Sequence, residues 1–160
     1  MTHYALIVPD KTIVKDGVGY EIASDDTWIN TYSSIHSIQI NDSSGEVEPV
    51  SGDNRTATPD EIKAVQDKWT ALKAVADKAN EDYINSWDRV RSDRSFLLSD
   101  TDWTVMPDSP LTSDKQQDYK TYRANLRNIP QTYSSNSPKD ITFSNGNVSV
   151  SASQKITKPS

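Results

Sequence analysis

The chain has 160 residues, only 34% of them hydrophobic, and 17 basic against 23 acidic side chains give it a formal charge of −6. That length suits one domain with a small appendage. The lean apolar supply argues against one core shared by the whole chain, and the acidic balance argues against a phosphate backbone as partner. Cysteine is absent, so disulfides, thiolate metal sites and thiol nucleophiles are excluded.

Residues 1–50 read as a small antiparallel β module. The apolar run Tyr4-Ala5-Leu6-Ile7-Val8 has strand character. It is too short for a signal-peptide core and far too short to span a bilayer, so a chain folded in the cytosol without membrane insertion is expected. Thr12–Lys15 and Val18–Ile22 flank Asp16-Gly17, a dipeptide suited to a two-residue hairpin turn. Ile35–Ile40 and Gly45–Glu48 predict a second hairpin, with Ile38 and Ile40 on one face. A sheet of this size has one face to bury and needs a packing partner.

A Pro/Ser/Gly/Asp linker over 49–57 leads to Thr58-Pro59-Asp60-Glu61, which has the form of a capping box. The Thr58 hydroxyl can accept from the Glu61 amide, the Glu61 carboxylate can reach the Thr58 amide, and Pro59 occupies the first helical position. No proline or glycine follows until after Leu98, which predicts one long helix from Pro59 to about Leu98. Ile62, Val65, Trp69, Leu72, Ala76, Ala79 and Tyr83 recur at alternating steps of three and four. Such a stripe must be covered by the sheet, by a return helix or by another chain, so self-association through the long helix is one expectation. Ser99–Trp103 reads as a helix terminus in which Asp100 and Asp102 serve as capping residues. Pro107-Asp108-Ser109-Pro110 is a stiff connector. A shorter helix is expected from about Ser113 to Asn128, with Tyr119, Tyr122, Leu126 and Ile129 on its apolar side and Pro130 as its stop. The short connector predicts an antiparallel return onto the long helix. Residues 131–160 form a polar tail, with a hairpin expected over 141–150 around Asn145-Gly146. The fold class expected is therefore α+β, organised as a β module over 1–50, a long helix plus helical hairpin over 58–130, and a tail over 131–160.

Little in the chain supports catalysis. His3 and His36 stand in separate β segments with no metal-ligand spacing around either, so sheet histidines are the expected reading. There is no Gly-rich phosphate loop and no nucleophile elbow. Arg89, Arg91 and Arg94, interleaved with Asp88 and Asp93, suit intrahelical pairs or a carboxylate across the hairpin. No catalytic residue, metal site or cofactor is assigned. The aromatic residues of the helical hairpin, Trp87, Trp103, Tyr119 and Tyr122, have two readings, a small aromatic core and a docking surface, and a hairpin with two sides has room for both. As a packed unit, Trp87 and Trp103 are expected to meet Tyr119, Tyr122 and Leu126, with Arg91, Arg94, Arg123 or Arg127 pairing carboxylates such as Asp102.

The run Trp87-Asp88-Arg89-Val90-Arg91-Ser92-Asp93-Arg94, then Leu97-Leu98, then Thr101-Asp102-Trp103, resembles the signature of the phage tail assembly chaperone-like family. The return half is similar too: Pro107 to Leu111, Tyr119, Tyr122-Arg123, Leu126-Arg127 and Ile129-Pro130. The resemblance covers about residues 85–132. Ile35–Gln39 with Gly45–Glu48 resembles the small β module often placed ahead of that domain, although Ile40 stands where the module usually has Trp. The resemblance implies a non-enzymatic phage tail accessory that assists assembly of the tail fibre, or attaches to it, through the helical hairpin. Its alternatives are a permanent component of the virion tail and a receptor- or sugar-binding accessory. It implies a tail or tail-fibre protein as partner, and a place in the host cytoplasm during assembly or in the virion tail. The residues it marks as partner-binding or hairpin-defining are Trp87, Arg91, Arg94, Leu97, Asp102, Trp103, Tyr119, Tyr122, Arg123, Leu126 and Arg127.

Overall fold

The computed structural model describes residues 1–151 and 153–160. It comprises two compact units, Met1–Lys78 and Ala79–Ser160, each with its own buried cluster. The class is α+β, as the residue pattern predicts.

In the first unit, β1 (His3–Ile7), β2 (Thr12–Lys15), β3 (Val18–Glu21), β4 (Ile35–Asn41), β5 (Ser44–Pro49) and β6 (Arg55–Thr56) form one antiparallel sheet in the order β3-β2-β1-β4-β5-β6. The turn between β2 and β3 has φ of 47° at Asp16 and 86° at Gly17, the mirror-image turn whose twist matches its strands. Register explains the core. Leu6 stands opposite Ile13 on one side and Ile38 on the other, and Ile38 stands opposite Val47. Successive strand residues alternate faces, so this row puts four fully buried side chains on one side of the sheet.

Helix α1 (Pro59–Ile84) adds Ile62, Val65 and Trp69 to that cluster. Its start is the expected capping box. Glu61 N donates to Thr58 Oγ1 at 3.2 Å and Thr58 N donates to Glu61 Oε2 at 2.8 Å. The Trp69 indole N–H donates to the Val18 carbonyl at 3.1 Å, which ties α1 to the edge strand β3. Tyr4 and Tyr20 pack their rings around the same indole. The segment between β3 and β4 contains a 3-10 turn, Thr27–Tyr32, that buries Ile29 and Tyr32 in this core.

The long helix is shorter than the expected run to Leu98. It ends at Ile84, and Ser86 takes an extended conformation (φ −103°, ψ 144°) with its hydroxyl accepting from Arg89 N at 3.1 Å. Ser86 thus caps a separate helix, α2 (Trp87–Asp100). A serine that satisfies the first amides of a new helix competes with continuation of the old one. The sheet cluster takes up the stripe of α1 only as far as Leu72, while Ala79 and Tyr83 are exposed.

In the second unit, α3 (Ser113–Thr132) is capped by Thr112 and contributes Tyr119, Tyr122, Leu126 and Ile129 to a core shared with Val90 and Leu97 of α2. Pro130 does not stop α3, which continues to Thr132. A proline in the last turn forfeits one backbone bond, and the fully buried Ile129 anchors the turn around it. The C-terminal hairpin forms as β7 (Thr142–Ser144) and β8 (Asn147–Ser149), joined through Asn145 and Gly146 at φ of 49° and 81°, and a third strand, β9 (Lys155–Ile156), pairs with β8. Ile141, Val148, Val150 and Ile156 complete the core.

Candidate partner-docking surface

The hairpin of α2 and α3 is organised around Arg123. This residue is only 5% exposed, and its guanidinium donates to the Leu98 carbonyl, to Thr101 Oγ1 and to Asp102 Oδ1. Thr101, itself buried, donates through the same hydroxyl to the Leu97 carbonyl at 2.7 Å. The end of α2 therefore has its carbonyls satisfied by a threonine and by an arginine from the next helix, which fixes where α3 lies. Asp100 and Asp102 are ion-pair partners and make no caps. Asp100 accepts from Lys158 at 2.7 Å, and Asp102 pairs with Arg123. A carboxylate facing a fixed cation gains more than one capping a single short turn.

The aromatic residues divide between core and surface. Tyr119 and Tyr122 are buried and meet edge to face at 6.4 Å between ring centroids. The Tyr119 hydroxyl donates to the Pro159 carbonyl at 3.0 Å and the Tyr122 hydroxyl donates to the Gly146 carbonyl. Burial, aided by the nearby Asp100 and Tyr119, pushes the Tyr122 phenol up to about 12. Leu97 and Leu126 are buried, and Trp87 packs half-buried against the cluster. Trp103 departs from the packed-core expectation. It follows α2 in a 3-10 turn (Asp102–Val105), touches Tyr119 on one side with centroids 6.5 Å apart, and remains 48% exposed. Thr104, not Trp103, is the residue this turn buries.

Charge pairing on α2 follows helical spacing. Arg91 pairs with Asp88 at 2.9 Å and Arg89 with Asp93 at 3.1 Å. Arg89 also crosses to the C-terminal segment, donating to the carbonyls of Ile141 and Pro138. Arg94 makes no such pair, and its buried Nε–H has no acceptor among the described residues. Arg127 is exposed on α3. Phe96, which the sequence reading did not single out, is 72% exposed and lines a groove of about 290 Å³ with Asp93, Leu97 and Phe143. Its signal was available: Phe96 lies well off the helical stripe marked by Val90 and Leu97, so it cannot join their core.

Both histidines belong to the sheet of the first unit, where His3 Nε2 lies 2.9 Å from Gln39 Oε1 and His36 Nδ1 lies 3.2 Å from Glu48 Oε2. Among the described residues, no group of three or more acidic or histidine side chains is placed to hold a metal ion, and no helix is long and apolar enough to cross a membrane.

Residues 87–142 match the model of the family described as phage tail assembly chaperone protein. This segment is similar to the phage tail assembly chaperone family. It spans about a third of the chain and takes in α2, its 3-10 turn, α3 and the approach to β7. The family match thus begins where Ser86 starts a new helix and encloses the Arg123 hub. No curated protein and no solved structure matches the chain significantly.

Proposed function

We propose that the protein is a non-enzymatic accessory of phage tail assembly that engages a tail or tail-fibre protein through the helical hairpin of residues 85–132, in the host cytoplasm while tails are being built. The observation that carries this reading is the division of labour within the chaperone-like segment. Tyr119, Tyr122, Leu126 and Arg123 are consumed in holding the hairpin together, while Trp103, Phe96 and Met106 remain at the surface, each at least 48% exposed. Exposed aromatic and methionine side chains on a rigid helical scaffold suit a docking face. The contacts of the segment are apolar packing and charge pairing, which suit a docking role.

The test is co-expression of the tagged full chain with each tail protein of its phage, followed by purification, and mass spectrometry of mature particles. Copurification with a tail or fibre protein, and absence from finished particles, is the expected result. Presence in particles at a fixed stoichiometry would instead make the protein a permanent tail component. Failure to copurify with every tail protein would overturn both.

A further inference from the structure

The basic residues of the hairpin are not all neutralised. On α2, Trp87, Arg91, Arg94 and Leu98 recur at steps of four, three and four, and so share one side of the helix. On α3, Arg127 stands one turn beyond Arg123, the residue that holds the Leu98 carbonyl. The acids nearby are already engaged: Asp88 with Arg91, Asp93 with Arg89, Asp102 with Arg123. Arg94 and Arg127 have no acidic partner among the described residues, and Arg94 keeps a buried N–H without an acceptor. A buried donor left unpaired costs stability unless something binds there.

We infer that Arg94 and Arg127 form a carboxylate dock that takes an acidic segment of the tail protein, with the half-buried Trp87 and Leu98 supplying apolar contact beside it. This rests on the chaperone reading and names the chemistry of the partner. The planar guanidinium fork of Arg94 matches a carboxylate in two parallel hydrogen bonds. The neighbouring acids are spent on Arg89, Arg91 and Arg123, so the two remaining guanidinium groups are complementary in charge to an acidic segment.

The experiment measures affinity of the full chain for the tail protein that copurifies with it, at two salt concentrations. Arg94→Gln and Arg127→Gln should each weaken binding by about tenfold, the scale of one lost charge-assisted contact, and the double variant by about a hundredfold with a shallower salt dependence. Lys139→Gln, which removes an exposed charge elsewhere, should change little. Arg94→Lys keeps the charge and loses the fork, so it should fall between parent and Arg94→Gln. If Arg94→Gln does not fold, the exposed Arg127→Glu reads the dock alone. Parent-like affinity in the double variant overturns the dock and leaves the chaperone reading standing. Absence of any tail-protein binding by the parent chain overturns both.

Discussion

Glu61 shows how one side chain links a local motif to stability. Its carboxyl is pulled down to about 2, first by the Arg55 guanidinium and then by the Thr58 amide and hydroxyl, against the opposing effect of burial. A carboxyl depressed in the folded state stabilises the fold at pH values above its ordinary 4.5 and loses that contribution as pH falls toward 2. Arg55 is half exposed, so solvent screening reduces the benefit to on the order of 1 kcal/mol. Urea unfolding of the parent and of Glu61→Gln should therefore differ near neutral pH and converge between about pH 4.5 and 2. Trp103 and Leu126 form a second contrast. Leu126 is fully buried, and Leu126→Ala should cost about 2–5 kcal/mol, whereas Trp103→Ala, with half its ring in solvent, should cost about 1–2 kcal/mol and mainly weaken capture of the tail protein. Thermal melts and copurification of both variants check this, and a Trp103→Ala chain that melts like Leu126→Ala would return Trp103 to the core.

The boundary between α1 and α2 was not legible as a boundary, because neither proline nor glycine marks it. The relevant chemistry is Ser86, whose hydroxyl takes the Arg89 amide, and whose amide bonds back to the Tyr83 carbonyl at 3.0 Å. Ser86→Ala should destabilise the second unit by about 1 kcal/mol, read as a lower denaturant midpoint with an unchanged slope. A variant indistinguishable from the parent would mean that tertiary packing alone sets the break. The two short hairpins were legible because their turns are chemically explicit. At Gly146 the positive φ is joined by a close neighbour, since a Cβ there would run into the Lys158 side chain. Glycine at that position therefore serves both the turn and the ion pair of Lys158 with Asp100. The third strand of that sheet, only Lys155–Ile156, is too short to leave a periodic signal.

The molecule has two cores, one of sheet and α1 residues between Tyr4 and Trp69, the other of α2, α3 and hairpin residues between Val90 and Ile156. Each unit should therefore carry its own stability. Under native-state hydrogen exchange, Ile38→Ala should lower amide protection in the first unit and Leu126→Ala in the second, and equal loss across both units from either variant would show a single cooperative fold. The sequence by itself determined whatever is decided between neighbours along the chain: the α+β class, the Asp16-Gly17 and Asn145-Gly146 turns, the Thr58–Glu61 capping box, and the apolar sides of α1 and α3. These rest on backbone preferences and on contacts a few residues apart, which composition and spacing encode directly. Only the tertiary structure decided that Trp103 stays half in solvent, that Asp102 serves Arg123, that Ile29 and Tyr32 complete the sheet core, and that the Arg94 Nε–H is left without an acceptor among the described residues. Each of those depends on which distant residue arrives to cover or pair a side chain, and burial is shared out among all the groups that compete for the same interior space.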